Sequence, residues 1–421
     1  MKFLFTTFEG GGHVAPAVLM ASLLRARGHD ILFVSDEANR SLAEASGLDF
    51  APWITAPNRQ KPAQSDDPLQ DWRRHWPPSV VKAVCQAVIT GPASQYAQDT
   101  LHYINAFRPN LVVSNELLFG CLIAAEAAGL DCAILTANLW SYPGRRELPP
   151  FGPGWGVARN RFEQHRQEAG HGMVGGWYDA GLRDLNRARQ ELHLPALSHS
   201  LDQLEIARTR ILGTSRAFDL PHTDDGFIYA GPLFDSLRPH SPSPLIAPDQ
   251  PNILLSFSTT YQNQSSLFAR CLKALEPLDA KVIVTTGPAV DPERLPRTRN
   301  AHIARYIPHD EIVPWCDLVV SHGGHGTLLR PLQHGVPVLC LTMGRDHPDN
   351  AVRLEHHGVG LRLSQRASSA KIRTSALRIL KDSQFQQAAA HLGNHIKARM
   401  PTERDSALTC LEQATQRSRI D

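Results

Sequence analysis

The sequence predicts an α/β protein made of two doubly wound, Rossmann-like domains that face each other across a cleft. Its 421 residues are too many for one ordinary core, which makes two domains the expectation. Both halves alternate short, almost continuously apolar runs with segments of helical spacing, as parallel sheets covered on both faces do. Between the halves, Asp235 to Pro251 reads DSLRPHSPSPLIAPDQP, a proline-rich linker.

The first half opens with a predicted strand over Lys2–Thr7, a Glu9-Gly10-Gly11-Gly12-His13 turn and a helix over Ala15–Arg27. Val14, Ala17, Val18, Ala21 and Leu24 keep helical spacing, and Gly28 suits a C-cap. Strands over Asp30–Ser35, Leu111–Ser114 and Cys132–Thr136 follow, the last two joined by a helix over Leu118–Ala128. Past the linker the pattern restarts with strands over Asn252–Ser258, Lys281–Thr286, Ala301–Tyr306, Asp317–Ser321 and Val336–Leu341. A helix over Gly326–His334 joins the last two, and Glu403–Arg419 reads as an amphipathic helix. The expected division is a first domain over 1–236, a linker over 237–251 and a second domain over 252–402. The segment 403–421 is expected to pack back on the first domain.

Composition narrows the class. A hydrophobic fraction of 42% and a charged fraction of 20% are those of a soluble globular protein. The net charge of +2 gives no argument for a nucleic-acid partner. No run is long enough for a membrane span, and the N-terminal apolar run is too short for a signal peptide. The seven scattered cysteines form no C-x-x-C pair, so a reduced, cytoplasmic setting is expected.

The densest chemistry lies in Ser321–Asn350, SHGGHGTLLRPLQHGVPVLCLTMGRDHPDN. A Gly-rich turn feeding a helix lets the backbone approach an anion and points unpaired N–H groups at it. One strand later, Asp346 and His347 occupy a polar loop, where a carboxylate can accept hydrogen bonds from sugar hydroxyls. Phosphates on one loop and a polyol on the next describe a sugar nucleotide. His322 and His325 lack a third ligand at zinc-like spacing, so no metal is expected. In the first half, the three glycines lack G-x-G-x-x-G spacing, which argues against a dinucleotide site. His13 starts a helix, whose N-terminus disfavours an imidazolium and leaves a neutral ring able to accept a proton. Ser258-Thr259-Thr260 ends a strand with hydroxyls and amides within reach of phosphate, although Ser and Thr also serve there as N-caps. Aromatic residues such as Trp72, Trp76, Trp140 and Tyr142 lie in the less regular stretches 51–78 and 139–156, where α/β sheets usually place substrates.

With these motifs the chain resembles a family 1 glycosyltransferase of the GT-B fold, in the bacterial natural-product branch near the macrolide and enediyne glycosyltransferases. The resemblance runs through the strand–GGGH–helix unit, Arg108–Val113, Leu148–Gly152, Ser256–Thr260, Tyr306–His309, His322–Thr327 and Gly344–Asn350. It implies inverting transfer from a UDP- or dTDP-linked sugar, without metal or cofactor, in a monomer or homodimer. The acceptor would be small and hydrophobic, aromatic or polyketide-like, lying against Phe8, Trp72, Trp76, Trp140 and Tyr142. His13 is implied as the base, and Ser258, Thr259, His322, Gly324, Gly326 and Thr327 as the diphosphate site. Tyr306 would stack on the nucleotide base beside the backbone of Ile307, while Asp346 and His347 would hold the donor sugar.

Three positions depart from the family pattern. The acid that often supports the base aligns with Asn115, followed by Glu116, so Glu116 is the candidate substitute if the strand ends before it. The acidic ribose contact is replaced by Arg330, and the Gln of the sugar-binding pair by His347. Two alternative classes stay open. A non-catalytic GT-B helper would bind a nucleotide sugar without turnover, and a sugar-nucleotide 2-epimerase would consume UDP-GlcNAc alone.

Overall fold

The computed structural model describes residues 1–61, 76–223, 226–234, 241–257 and 261–417. Seven parallel strands form the first sheet: β1 Lys2–Thr6, β2 Asp30–Ser35, β3 Asp49–Pro52, β4 Leu111–Asn115, β5 Cys132–Thr136, β6 Thr209–Leu212 and β7 Phe227–Tyr229. Their order is β3-β2-β1-β4-β5-β6-β7. The second sheet holds β8 Asn252–Ser256, β9 Lys281–Thr285, β10 Ala301–Ala304, β11 Leu318–Ser321, β12 Val338–Thr342 and β13 Gly360–Ser364. It runs β10-β9-β8-β11-β12-β13, again all parallel. In both sheets the chain reverses direction between the first strand and the fourth, which opens a crevice at their carboxyl ends. Thr6 lies opposite Ser114 at one such point, and Ser256 opposite Ser321 at the other.

The central strands are apolar throughout because helices cover both faces. β1, β4 and β5 are buried almost completely, as are β8 and β11. β3, β6, β7 and β13 extend the sheets beyond the strands expected from the sequence; they are short, and β3 and β13 are largely half-buried.

The C-terminal helix also differs from expectation. It is one helix, Ser383–Arg417, running through Pro401, where the sequence places a start near Glu403. Its first half packs Ala389, Leu392 and Ile396 into the second domain, and its second half packs Ala407, Leu408, Leu411 and Ala414 into the first. Burial on two cores outweighs the loss of one helix hydrogen bond at proline. Arg27 and His29 fasten the far end to the first domain through Glu412, at 3.1 and 2.9 Å.

The domains also meet through buried charge. Asp219, between β6 and β7, accepts from Arg353 of the second domain at 2.8 Å and from Arg145 of its own at 3.2 Å. Burial alone would raise the Asp219 carboxyl, but the two guanidiniums hold it well below the ordinary carboxylate range. Further contacts across the seam join Gly152 N–H to Asp349 (2.9 Å) and Arg362 to the Gly154 carbonyl (2.8 Å).

Candidate active site

At the first crevice, β1 leads into the glycine turn and His13 becomes the N-cap of the helix Val14–Ala26. Gly10 makes this compact: a Cβ there would lie 2.9 Å from the Phe8 ring and 3.0 Å from His13 Cδ2. Phe8 stacks on the His13 ring at 5.6 Å and 28°. β4 ends at Asn115, so Glu116 stands in the turn just beyond it, free of strand alternation. Both residues turn toward the histidine. Asn115 Nδ2 lies 3.2 Å from His13 Nδ1, and Glu116 Oε1 lies 3.7 Å from the same nitrogen.

Burial sets the charge states here. The His13 ring keeps a fifth of its side-chain surface open, yet desolvation lowers it to about 4; Asp346 opposes the shift and Arg345 adds to it. Burial pushes Glu116 up to about 8, opposed by its own backbone N–H and reinforced by Asp346. The ring is therefore neutral at pH 7, as a base must be, and its carboxyl neighbour is protonated.

The second crevice is built from turns and helix ends. Gly323 adopts φ +100, and a Cβ there would fall 2.6 Å from Cys340 Sγ, so glycine is required. A Cβ on Gly324 would strike His322 Nε2 at 2.5 Å. The helix His325–Gln333 begins directly after, with Gly324 as N-cap. Ser321 Oγ donates to Thr327 Oγ1 (2.8 Å), which donates on to the Gly324 carbonyl (2.7 Å). The turn is thus braced by its own hydroxyls; the Thr327 N–H donates to the Gly324 carbonyl at 3.0 Å, so the amides of His325 and Gly326 are the ones a helix start leaves without an intrahelical partner. A Cβ on Gly326 would meet nothing within 4 Å, so that face is open. Burial, with His347 nearby, keeps His322 neutral, and burial lowers His325 to about 4.

The loop after β12 brings the halves together. Asp346 accepts from Asn350 Nδ2 at 2.7 Å and from Asn138 Nδ2, across the cleft, at 3.2 Å. Its charge is also felt at His13, Glu116 and His322. Among the described residues no group of three or more His, Cys, Asp or Glu side chains converges as a metal site, and no helix is long and apolar enough to cross a membrane.

Comparison with known proteins agrees with this architecture. Residues 269–411 match the family described as erythromycin biosynthesis protein CIII-like, C-terminal domain. The 4'-demethylrebeccamycin synthase of Lentzea aerocolonigenes is 25% identical over 94% of this chain and 96% of its own length. The crystal structure of the glycotransferase of kitacinnamycin superposes with a TM-score of 0.76 at 17% identity, covering 98% of each chain. The glycosyltransferase VinC, solved in complex with dTDP, gives 0.70 at 20% identity over 99% of this chain and 100% of its own. The chain is a glycosyltransferase similar to those of natural-product biosynthesis.

In this glycosyltransferase the structure gathers His13, Asn115, Glu116, His322, Gly324, Gly326, Thr327 and Asp346 around one cleft. Ser258, Thr259 and Trp72 lie outside the described residues. His347 lies beside Asp346, its Nε2 3.8 Å from Asp346 Oδ1. It is buried, its ring meets His322 edge-on at 4.6 Å, and its Nδ1 accepts from the Met343 N–H at 3.3 Å. Arg330 pairs with Asp310 and lies over the Phe234 ring at 4.8 Å. Tyr306 is 78% exposed, with Ile307 half-buried behind it. Trp76 is 70% exposed, whereas Trp140 and Tyr142 are packed into the first domain's core. The Tyr142 hydroxyl donates to the Glu116 carbonyl at 2.9 Å, supporting the site from behind. A cavity of about 370 Å³ lies under Trp140, Arg146, Glu147, Leu204, Arg210 and Phe227, sharing no residue with the cleft.

Two site residues escaped the sequence reading in this glycosyltransferase. Asn350 ends the Ser321–Asn350 segment, and its Nδ2 joins the Gly323 carbonyl (2.9 Å) to Asp346. Asn138, two residues past β5, reaches Asp346 from the other domain, and its Oδ1 is buried without a hydrogen-bond partner. A polar residue just beyond a strand's carboxyl end was the available signal for Asn138.

Proposed function

We propose that this enzyme transfers a sugar, with inversion, from a nucleoside-diphosphate sugar to a hydroxyl of a small natural-product acceptor. The observation that carries the reading is the meeting of the two crevices. Neutral His13 from one domain and Asp346 from the other share the space beside an outward-facing helix N-terminus. The sugar would lie against Asp346, and its diphosphate against the turn His322–Thr327. His13 would take the acceptor proton while the oxygen attacks the anomeric carbon from the side opposite the diphosphate. Fixed dipoles at the start of the helix His325–Gln333 would stabilise the leaving charge. In this reading no metal takes part in the step. The dTDP bound by VinC favours a thymidine-linked donor over a UDP-linked one, and a relative named for demethylrebeccamycin favours a natural-product acceptor.

The test is donor-dependent turnover with dTDP- and UDP-sugars against phenolic and polyketide acceptors, wild type beside His13→Ala. The variant should lose roughly 10²–10⁴-fold in rate, the usual share of general-base catalysis, while binding dTDP as before. Equal rates in both proteins would remove His13 from the chemistry. Tight dTDP binding with no turnover of any donor would favour a helper protein instead.

A further inference from the structure

We propose that the acceptor's proton does not stay on His13 but passes through the ring to Glu116, while Asn115 holds the tautomer that remains afterwards. The inference rests on the transferase reading above. Its starting point is the orientation of one amide. Leu117 N–H donates to Asn115 Oδ1 at 3.0 Å, which turns Asn115 Nδ2 toward His13 Nδ1 at 3.2 Å. An amide nitrogen only donates, so Nδ1 must accept, and a neutral ring then carries its proton on Nε2. Nε2 is the nitrogen left for the acceptor, and in this state it has no lone pair to offer. The resting site is arranged as a base that has already acted.

Glu116 explains how it can act again. Its Oε1 lies 3.7 Å from the same Nδ1, and its Oε2 is buried without a hydrogen-bond partner. The charged and titratable groups facing this pair are Asp346 and Arg345 from the second domain and Tyr142 from behind. In this setting the carboxyl is the stronger base: burial lifts Glu116 to about 8 and lowers His13 to about 4. That order is the reverse of a serine protease triad, whose carboxylate stays ionised while the imidazole charges.

The proton balance closes over one turnover. Activation moves the Glu116 proton to Nδ1 while Nε2 gives its proton to water, leaving a carboxylate beside an Nδ1–H ring. The acceptor hydroxyl then gives its proton to Nε2 as its oxygen bonds to the anomeric carbon. The carbon–oxygen bond to the diphosphate breaks, and its electron pair leaves with the nucleotide. The Nδ1 proton passes to Glu116, and Nδ1 again accepts from Asn115. One negative charge has moved from the carboxylate to the leaving group, and no imidazolium is formed. This accounts for an Asn where a charged partner is usual: a donor stabilises the neutral ring that the relay leaves behind.

The deciding experiment is nitrogen NMR of ¹⁵N-histidine-labelled, ligand-free, full-length protein from pH 5 to 10. His13 should appear as the Nε2–H tautomer at pH 6, shift toward Nδ1–H above about pH 8, and remain uncharged down to pH 5. Glu116→Gln should stay Nε2–H throughout. A wild-type ring that is Nδ1–H at pH 6, or that charges near pH 6.5, overturns the relay. With dTDP-glucose, UDP-glucose and a dihydroxyanthraquinone acceptor, wild-type rate should climb about tenfold per pH unit up to about pH 8 and then level. Glu116→Gln should lose that rise, and Asn115→Asp should move it to lower pH; a rise unchanged in Glu116→Gln also overturns the relay. Absence of turnover at every pH with the NMR result intact would sink the transferase reading and leave the proton pair standing.

Discussion

At the first sheet's crevice the strand ends carry two titratable groups side by side, His13 and Glu116. At the second sheet's crevice they carry a turn whose backbone is braced by Ser321, Thr327 and Asn350, although His322 Nδ1 and Asn350 Oδ1 are themselves buried without a partner. The topology is the same in both: the strand order turns between the paired first and fourth strands, and a helix begins just beyond. The difference lies in how the local hydrogen bonds are completed. Around His322–Thr327, Ser321, Thr327 and Asn350 brace the turn, so its outward amides keep one geometry. Around His13, Glu116 keeps an unpartnered oxygen beside a ring with two possible tautomers. A braced turn suits a ligand whose charge is permanent, and a loosely bonded pair suits a proton that must move.

The contrast has meaning only while the two crevices face each other, and Asp219 is the residue that keeps them so. Its carboxylate is buried between Arg353, on the helix that follows the Asp346 loop, and Arg145. Asp219→Ala would leave two guanidiniums buried without their counter-ion, a change that typically costs about 3–5 kcal/mol. Thermal unfolding should drop accordingly and could separate into two transitions, one per domain. A melting curve like the wild type's would mean that the long C-terminal helix and the remaining seam contacts hold the domains together without Asp219.

The bracing of the second crevice can be probed within a single turn. Gly323→Ala forces a side chain into the left-handed region and against Cys340, a strain of about 1–3 kcal/mol. It should lower thermal stability by about that amount and, as the turn shifts to relieve the clash with Cys340, weaken dTDP binding. Gly326→Ala places its methyl in open space and should leave the melting temperature near that of wild type. Calorimetric titration of both variants with dTDP separates the cases: equal affinities would mean that the turn does not hold the nucleotide.

Most of what is local in this picture was legible in the sequence. The central strands were visible as unbroken apolar runs, the two turns as glycine clusters at strand ends, and Glu116 as the acid beside Asn115. Features that depend on a partner far away in the chain were not legible. Asn138 meets Asp346 only because the domains close on each other, and no periodicity encodes that approach. The resemblance places His347 on the donor sugar; its ring is buried edge-on against His322. The C-terminal helix was expected to start near Glu403, yet two cores together carry one helix from Ser383 through Pro401. Trp140 and Tyr142 lie in a stretch rich in proline and glycine, but their rings complete the core under it.

The smallest expected effect concerns pH, and it separates His325 from Glu116 by sign. His325 is buried, donates to or accepts from Thr214 Oγ1 at 2.8 Å, and is lowered to about 4 by burial. Its folded value lies below the ordinary 6.5, so the unfolded chain takes up the proton first. The stability from its neutral form is complete above about pH 6.5 and is lost as the pH falls toward 4, amounting to about 1 kcal/mol at pH 6. Glu116 works in the opposite direction. Its folded value of about 8 lies above the ordinary 4.5, so stability declines as the pH rises from about 4.5 to 8. His325→Gln should make the acid side of a melting-temperature profile less steep, with His13 and His322 still contributing there, and leave the alkaline side alone, while Glu116→Gln should ease the alkaline side only. If either substitution altered both sides equally, the two crevices would be titrating as one coupled site, and the division between a proton-moving half and a fixed half would fail.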